Sequence, residues 1–275
     1  MHVLVVANET VAGKGLLERL RAKAGEDVRF TVLAPITPPR SGYVIYQDTR
    51  RASAGRRLER SLAAMRDAGL HAHGLVADEE PVSAVRDTLA QLDPPVDEIV
   101  VSTHPEESSG WQRRHVVDQI RKCAGGIPVE HVVVDLAAEP DRERNVLVLA
   151  NETLGPRLLA RLKERAEATP SSFMIMAPQS DPTVQAHPDA ERRLRAALFE
   201  LRSDGIDAHG QIAHPDPYTA AMNAVRDERV DEIVVSTLAP LKSGWLRRDL
   251  VERLRKDTGL PVEHVMAGQP EGATA

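Results

Sequence analysis

The chain has 275 residues, enough for two ordinary domains that each bury a core of their own. Hydrophobic residues make up 42% and aromatic ones only 3%, so those cores must be built from Val, Leu, Ile and Ala. A formal net charge of −6 argues against nucleic acid or anionic membrane as partners, the lone Cys123 excludes an internal disulfide, and no apolar run approaches the ~20 residues of a membrane helix.

Residues 1–6 (MHVLVV) lack the basic start and long apolar core of a secretion signal, so the cytoplasm is the expected compartment. Residues 3–7 read instead as a short Val-rich strand, followed by the loop Asn8-Glu9-Thr10 and a helix over 15–24. A second strand over 28–34 ends at Ala34-Pro35, and a long connection holding Tyr43 and Tyr46 leads to a helix over 56–68. Leu58, Leu62 and Met65 fall at i, i+4 and i+7 on one face of that helix, and Gly69 closes it. Then come a strand over 70–76, a helix over 82–92, a strand over 98–102 and a helix over 111–124 that ends at Gly125-Gly126. A last strand spans 129–134, and the polar stretch 136–144, with Pro140, reads as a linker.

The chain after this linker repeats the chain ahead of it. Residues 3–10 (VLVVANET) return as 146–153 (VLVLANET), an offset of 143 (146 − 3), and Ala34-Pro35 returns as Ala177-Pro178. Residues 69–74 (GLHAHG) return as 205–210 (GIDAHG), where the offset has fallen to 136 (205 − 69). Residues 97–103 (DEIVVST), 109–114 (SGWQRR) and 128–132 (PVEHV) return as 231–237, 243–248 (SGWLRR) and 261–265. Six matches in one order make the chain a duplication. The first copy carries seven extra residues (143 − 136) between Pro35 and its next helix.

Alternating strands and helices predict a parallel sheet covered on both faces. The expected fold is therefore two tandem doubly wound α/β domains, each a five-stranded parallel sheet with helices on both faces. Their expected bounds are 1–138 and 145–268, with a linker over 139–144 and a disordered tail over 269–275. In such sheets a ligand sits beyond the carboxyl ends of the strands, where chain order reverses. The candidate binding residues are Asn8, Thr10, Ala34, Thr103, Ser109, Gly110 and Arg113 in the first copy. Asn151, Thr153, Ala177, Thr237, Ser243, Gly244 and Arg247 are their counterparts. Ser109 and Ser243 fit N-cap positions of the last helix of each copy, with arginines following in its first turn. Two readings stand side by side there: a capped helix with solvated or carboxylate-paired arginines, or an anion site built from Ser and Arg donors.

The entry through the first strand, the long loop after Ala34-Pro35 and the DEIVVST strand together resemble universal stress protein domains, over nearly the whole chain and twice. The resemblance implies a stress-response or regulatory protein without catalysis. It also implies ATP binding through an acid after the first strand and a glycine motif after the fourth. Here Asn8 and Asn151 replace the acid, and residues 103–110 (THPEESSG) and 237–244 (TLAPLKSG) lack the paired glycines that let backbone N–H groups approach a polyphosphate. ATP is thus implied by the family while its motif is missing, and a small anion or a weakly held nucleotide is the expected ligand. Members dimerise through their last strands. The resemblance therefore implies an intramolecular pseudo-dimer with His131 and His264 near its axis, either alone or as a homodimer of tandem chains. The longer first loop is expected as a lid. A nucleotide-dependent enzyme on a related scaffold and a ligand-free module that docks a protein partner are the alternatives.

Other features have plainer readings. Residues 8–15 (NETVAGKG) approach a phosphate-binding P-loop but lack its first glycine and its final hydroxyl. His71, His73 and His209 lie on strands without matching metal ligands, and no metal site is expected. His104 stands in the first copy's candidate loop, without a nucleophile beside it in sequence. Trp111 and Trp245 read as packing anchors and Cys123 as inert. No catalytic motif appears, so no catalytic residue is expected.

Overall fold

In the computed structural model the described residues are 1–7, 13–25, 27–36, 44–45, 47–77, 80–105, 115–135, 143–150, 154–178, 188–227, 229–238 and 249–267. The chain forms two compact units. Unit 1 comprises Met1–Pro38 and Arg50–Arg142, and unit 2 comprises Pro39–Thr49 and Glu143–Ala275. Among the described residues no helix is long and apolar enough to cross a membrane.

In chain order the first repeat runs β1 (His2–Val6), α1 (Lys14–Lys23), β2 (Arg29–Pro35), β3 (Val44–Ile45), α2 (Gln47–Asp67), β4 (Ala72–Ala77), α3 (Pro81–Gln91), β5 (Glu98–Thr103), α4 (Val116–Cys123) and β6 (Val129–Val133). The second runs β7 (Arg144–Leu149), α5 (Pro156–Ala168), β8 (Ser171–Pro178), α6 (Pro188–Ser203), β9 (Asp207–Ala213), α7 (Pro217–Asp227), β10 (Glu232–Thr237), α8 (Leu250–Thr258) and β11 (Val262–Met266). Each unit contains five parallel strands, in the orders β4-β2-β1-β5-β6 and β9-β8-β7-β10-β11. Unit 2 gains a sixth, antiparallel strand, because β3 pairs with β9. The seven-residue surplus of the first repeat lies in the connection that supplies it.

The duplication extends to register. Val3 is level with Phe30 on one side and Glu98 on the other, and Val146 is level with Phe173 and Glu232. Each sheet buries both faces, as alternating βα units require. In unit 1, Val3, Val5, Phe30, Val32 and Val100 pack against Leu16 and Leu20 of α1 and Leu58, Leu62 and Met65 of α2. On the opposite face Leu4, Val6, Leu33, Ile99 and Val101 meet Val85 of α3 and Val116, Val117 and Ile120 of α4. Unit 2 has the same two clusters, with Phe173 at the position of Phe30.

Several residues shared by the two copies are engaged in holding this frame. The Asp97 carboxylate accepts from the His2 backbone N–H at 2.6 Å, and Asp231 accepts from Asn145 at 2.9 Å, closing the open start of each first strand. Glu98 and Glu130 pair with Lys23, at 2.7 and 2.8 Å, and Glu130 also with Arg19 of α1. Glu232 and Glu263 pair in the same way with Arg165 and Arg161 of α5. Gly74 and Gly210 let a helix lie close on the strand. A Cβ at 74 would stand 2.7 Å from a Leu58 methyl, and one at 210 would stand 2.9 Å from the Ile175 carbonyl oxygen. Gly69 and Gly205 take φ of 77° and 75°, the left-handed ends expected where α2 and α6 stop.

One element departs from the sequence reading. Helix α2 begins at Gln47, nine residues before the expected start at 56 (56 − 47), because no proline or glycine interrupts residues 47–54. In the last helix of each copy the expected start lies outside the described residues, and the described helices are α4 from Val116 and α8 from Leu250. His115 and Asp249, at φ 52° and 47°, stand immediately before them, and a left-handed residue breaks the run of α-helical dihedrals. Ser109 and Ser243 lie outside the described residues, and the N-cap positions of these described helices are His115 and Asp249. Neither of those makes a side-chain cap hydrogen bond.

Candidate functional site at the strand ends

In unit 1 the chain builds outward from β1 through β2 to β4, then restarts on the other side of β1 with β5 and β6. The reversal falls between β1 and β5, and in unit 2 between β7 and β10. Neighbouring strands diverge beyond such a point, which leaves a crevice at their carboxyl ends.

The floor of that crevice is set by register. Val6 is level with Leu33 and Val101, so Ala7, Ala34 and Ser102 come one residue further along, all on the α1/α2 face. Their side chains are the smallest in the sheet at that level. Ser102 is 1% exposed, and its Oγ has no hydrogen-bond partner among the described residues. Unit 2 repeats the trio as Ala150, Ala177 and Ser236.

The opposite face carries a hydroxyl–imidazole pair. Thr103 Oγ1 lies 2.9 Å from His131 Nε2, and Thr237 Oγ1 lies 2.7 Å from His264 Nε2. Both threonines are buried. The Thr103 hydroxyl also donates to the His104 carbonyl oxygen at 3.0 Å, so it sits between that carbonyl and the His131 ring, whose role as donor or acceptor depends on its tautomer. Burial pushes the imidazole of His131 below its ordinary pKa, helped by the Arg121 charge and opposed by Asp118. Burial does the same to His264, helped by Arg255. Both rings are held toward the neutral form.

Of the residues expected at the site, Ala34 and Thr103 flank the first crevice and Ala177 and Thr237 the second. Within each pair the side chains point to opposite faces of the sheet, because their register positions differ by one. Asn8, Thr10, Ser109, Gly110, Arg113, Asn151, Thr153, Ser243, Gly244 and Arg247 lie outside the described residues, as do Tyr43, Tyr46, Trp111 and Trp245. Sequence reasoning passed over Ser102 and the role of His131. The period-2 parity of DEIVVST places Ser102 on the face of Val100, and that signal was sufficient to find it. His131 bonds to a partner 28 residues away and has no local signature. His73 is exposed while His209 is buried, and among the described residues no three His, Cys, Asp or Glu side chains gather to hold a metal ion.

The donors described after β5 do not reproduce a triphosphate cradle. His104 is followed by Pro105, which has no N–H to offer where paired glycines would present several.

No family model matches the chain, and no curated protein matches it. Among solved structures the chain is similar to a universal stress protein from Archaeoglobus fulgidus DSM 4304, at 16% identity over 98% of this chain and 97% of that one, with a TM-score of 0.38. It is also similar to an N-acetyl-L-ornithine transcarbamylase, at 15% identity over 96% of this chain and 87% of that one, with a TM-score of 0.24. Likenesses at such TM-scores carry no argument about activity, and the fold rests on the strand order itself.

Proposed function

We propose that the chain is a tandem regulatory protein of the universal stress protein kind, without catalysis, whose two switch-point crevices hold a small anion or a nucleotide weakly. The observation that supports this reading is the state of the Thr103 hydroxyl. A hydrolase or transferase at this position would need that hydroxyl, or a water, to give its proton to a base within reach. Here the hydroxyl donates to the His104 carbonyl oxygen and touches the His131 ring of the neighbouring strand. The pair is wired to hold the strand ends together. Ala7, Ala34 and Ser102 put small side chains at the strand ends, and the buried Ser102 hydroxyl, with no hydrogen-bond partner among the described residues, favours a polar ligand. The full ATP mode of the family is not proposed, because Pro105 and the missing glycines remove its donors.

Calorimetric titration with ATP, AMP and inorganic phosphate, with and without magnesium, tests the reading. The expected result is binding no tighter than about 0.1 mM, roughly −5.5 kcal/mol, with no phosphate release on long incubation. Ser102→Val should abolish the heat if the crevice is the seat. Measured turnover would put the chain among enzymes. Complete absence of heat from a folded sample would leave protein docking as its activity.

A further inference from the structure

Strand β4 and the last six residues of β9 are sister segments with nearly the same sequence, AHGLVA and AHGQIA. Strand β9 lies between β8 and β3, whereas among the described residues β4 pairs with β2 alone and ends its sheet. The ladder between β2 and β4 runs through the carbonyl oxygens of His71 and Ala77, which accept from the N–H groups of Phe30 and Ile36. Within a strand, the N–H and C=O of one residue point to the same side and alternate along the chain. The backbone groups of Ala72, Gly74 and Val76 therefore face outward. None of the three has a hydrogen-bond partner across that edge among the described residues.

This edge lacks the devices that blunt such templates. Its six residues include no Pro, Lys, Asp or Glu, and pairing with β2 is continuous from Phe30↔Ala72 to Pro35↔Ala77, with no bulge. Its side chains point the same way. Leu75 is 42% exposed, and the residue that matches it in the enclosed strand is Gln211, 4% exposed. The apolar residue faces water and the polar one is buried, the reverse of ordinary partition. A leucine at an open edge is explained if that edge is covered when the protein works.

We infer that the β4 edge is an interface and that its occupant is β4 of a second copy of this chain, paired antiparallel about a twofold axis. The segment is self-complementary. Centred on Gly74, the pairing sets Ala72 opposite Val76 and Gly74 opposite itself, and these are the residues whose backbone groups face outward. It also sets Leu75 of one copy opposite His73 of the other, as a non-hydrogen-bonded pair in which side chains approach most closely. The segment itself holds no charged residue to repel its own copy. The two five-stranded sheets of unit 1 would become one continuous sheet. A six-residue edge buries less than the ~1,200 Å² of a standard stable interface, so the dimer is a weak one that forms with rising concentration.

Sedimentation velocity of the full chain between about 1 and 300 μM tests this, since a dissociation constant of roughly 10 μM falls inside that range. The sedimentation coefficient is expected to rise from monomer toward dimer. Leu75→Lys, at an exposed position, should weaken association at least tenfold with an unchanged circular dichroism spectrum. Ala72→Pro, which removes an outward N–H at the first residue of the strand, should act in the same direction. Val133→Lys, on the opposite edge strand β6, should leave the dimer intact. A chain that stays monomeric throughout overturns the inference. So does a dimer that survives Leu75→Lys, or one that Val133→Lys abolishes.

Discussion

Strands β4 and β9 agree at four of six compared positions, sit third out from the reversal point in their sheets and meet their helices through the same glycine. They differ in what lies beyond them. Among the described residues the first ends its sheet, and the second is flanked by a two-residue strand more than 160 residues earlier in the chain (211 − 45). Local sequence therefore settles how a strand packs onto its own helices, and it says little about whether the strand is an edge. That second property depends on a remote segment, here drawn from the stretch where the two copies differ in length. Duplication preserved the packing, and the insertion changed the exposure.

Three experiments press on this comparison. The largest expected effect tests the shared packing. Gly210→Ala should cost about 3 kcal/mol of stability, because the added methyl meets a backbone carbonyl that cannot move aside, whereas Gly74→Ala should cost about 1 kcal/mol, because it meets leucine side chains that can. Urea unfolding read separately for the two units measures both, and equal losses would mean that the two strands are packed more alike than their neighbours suggest. Next comes the exposure. Deleting residues 39–45 should open the β9 edge and add concentration-dependent association, seen as a rise in light scattering with protein concentration. If the deleted chain behaves as the full one does, β3 is not what protects β9.

The smallest effect concerns the threonine–histidine pair that the two units share at their strand ends. His131 and His264 both have folded-state pKa values below the ordinary value, so the unfolded chain takes up protons more readily than the folded one. Stability should be full above the unfolded value of about 6.5 and fall as the pH drops through the lower folded values. Thermal unfolding between pH 7.5 and 5 reads this slope. His131→Gln, able to donate to Thr103 without titrating, should flatten the part that belongs to unit 1. A slope that the variant leaves unchanged would assign the acid sensitivity elsewhere.

Much of the fold is legible in the amino-acid sequence. Strand positions, the βα order and the duplication come from period-2 runs of Val and Ile and from recurring strings. The glycine stops of α2 and α6 are legible because a left-handed residue after a helix is a local requirement. The site is less so. The strings that recur most clearly, DEIVVST and PVEHV, invite a functional reading. The structure assigns their Asp97, Glu98, Glu130 and His131 to a strand clamp, two ion pairs and a threonine contact.

By itself the sequence determined that this protein is two copies of one α/β unit with cores of small aliphatic residues. Periodicity and turn chemistry act over a few residues, and both are written along the chain. Only the tertiary structure decided which repeated residues hold the frame, that Ser102 lies buried beside Ala7 and Ala34, and that among the described residues β9 is enclosed while β4 is open. Those properties depend on contacts between residues from 28 to more than 160 positions apart, and hydrogen-bond partners at such separations are chosen by the sheet ladder, whose order no local pattern records.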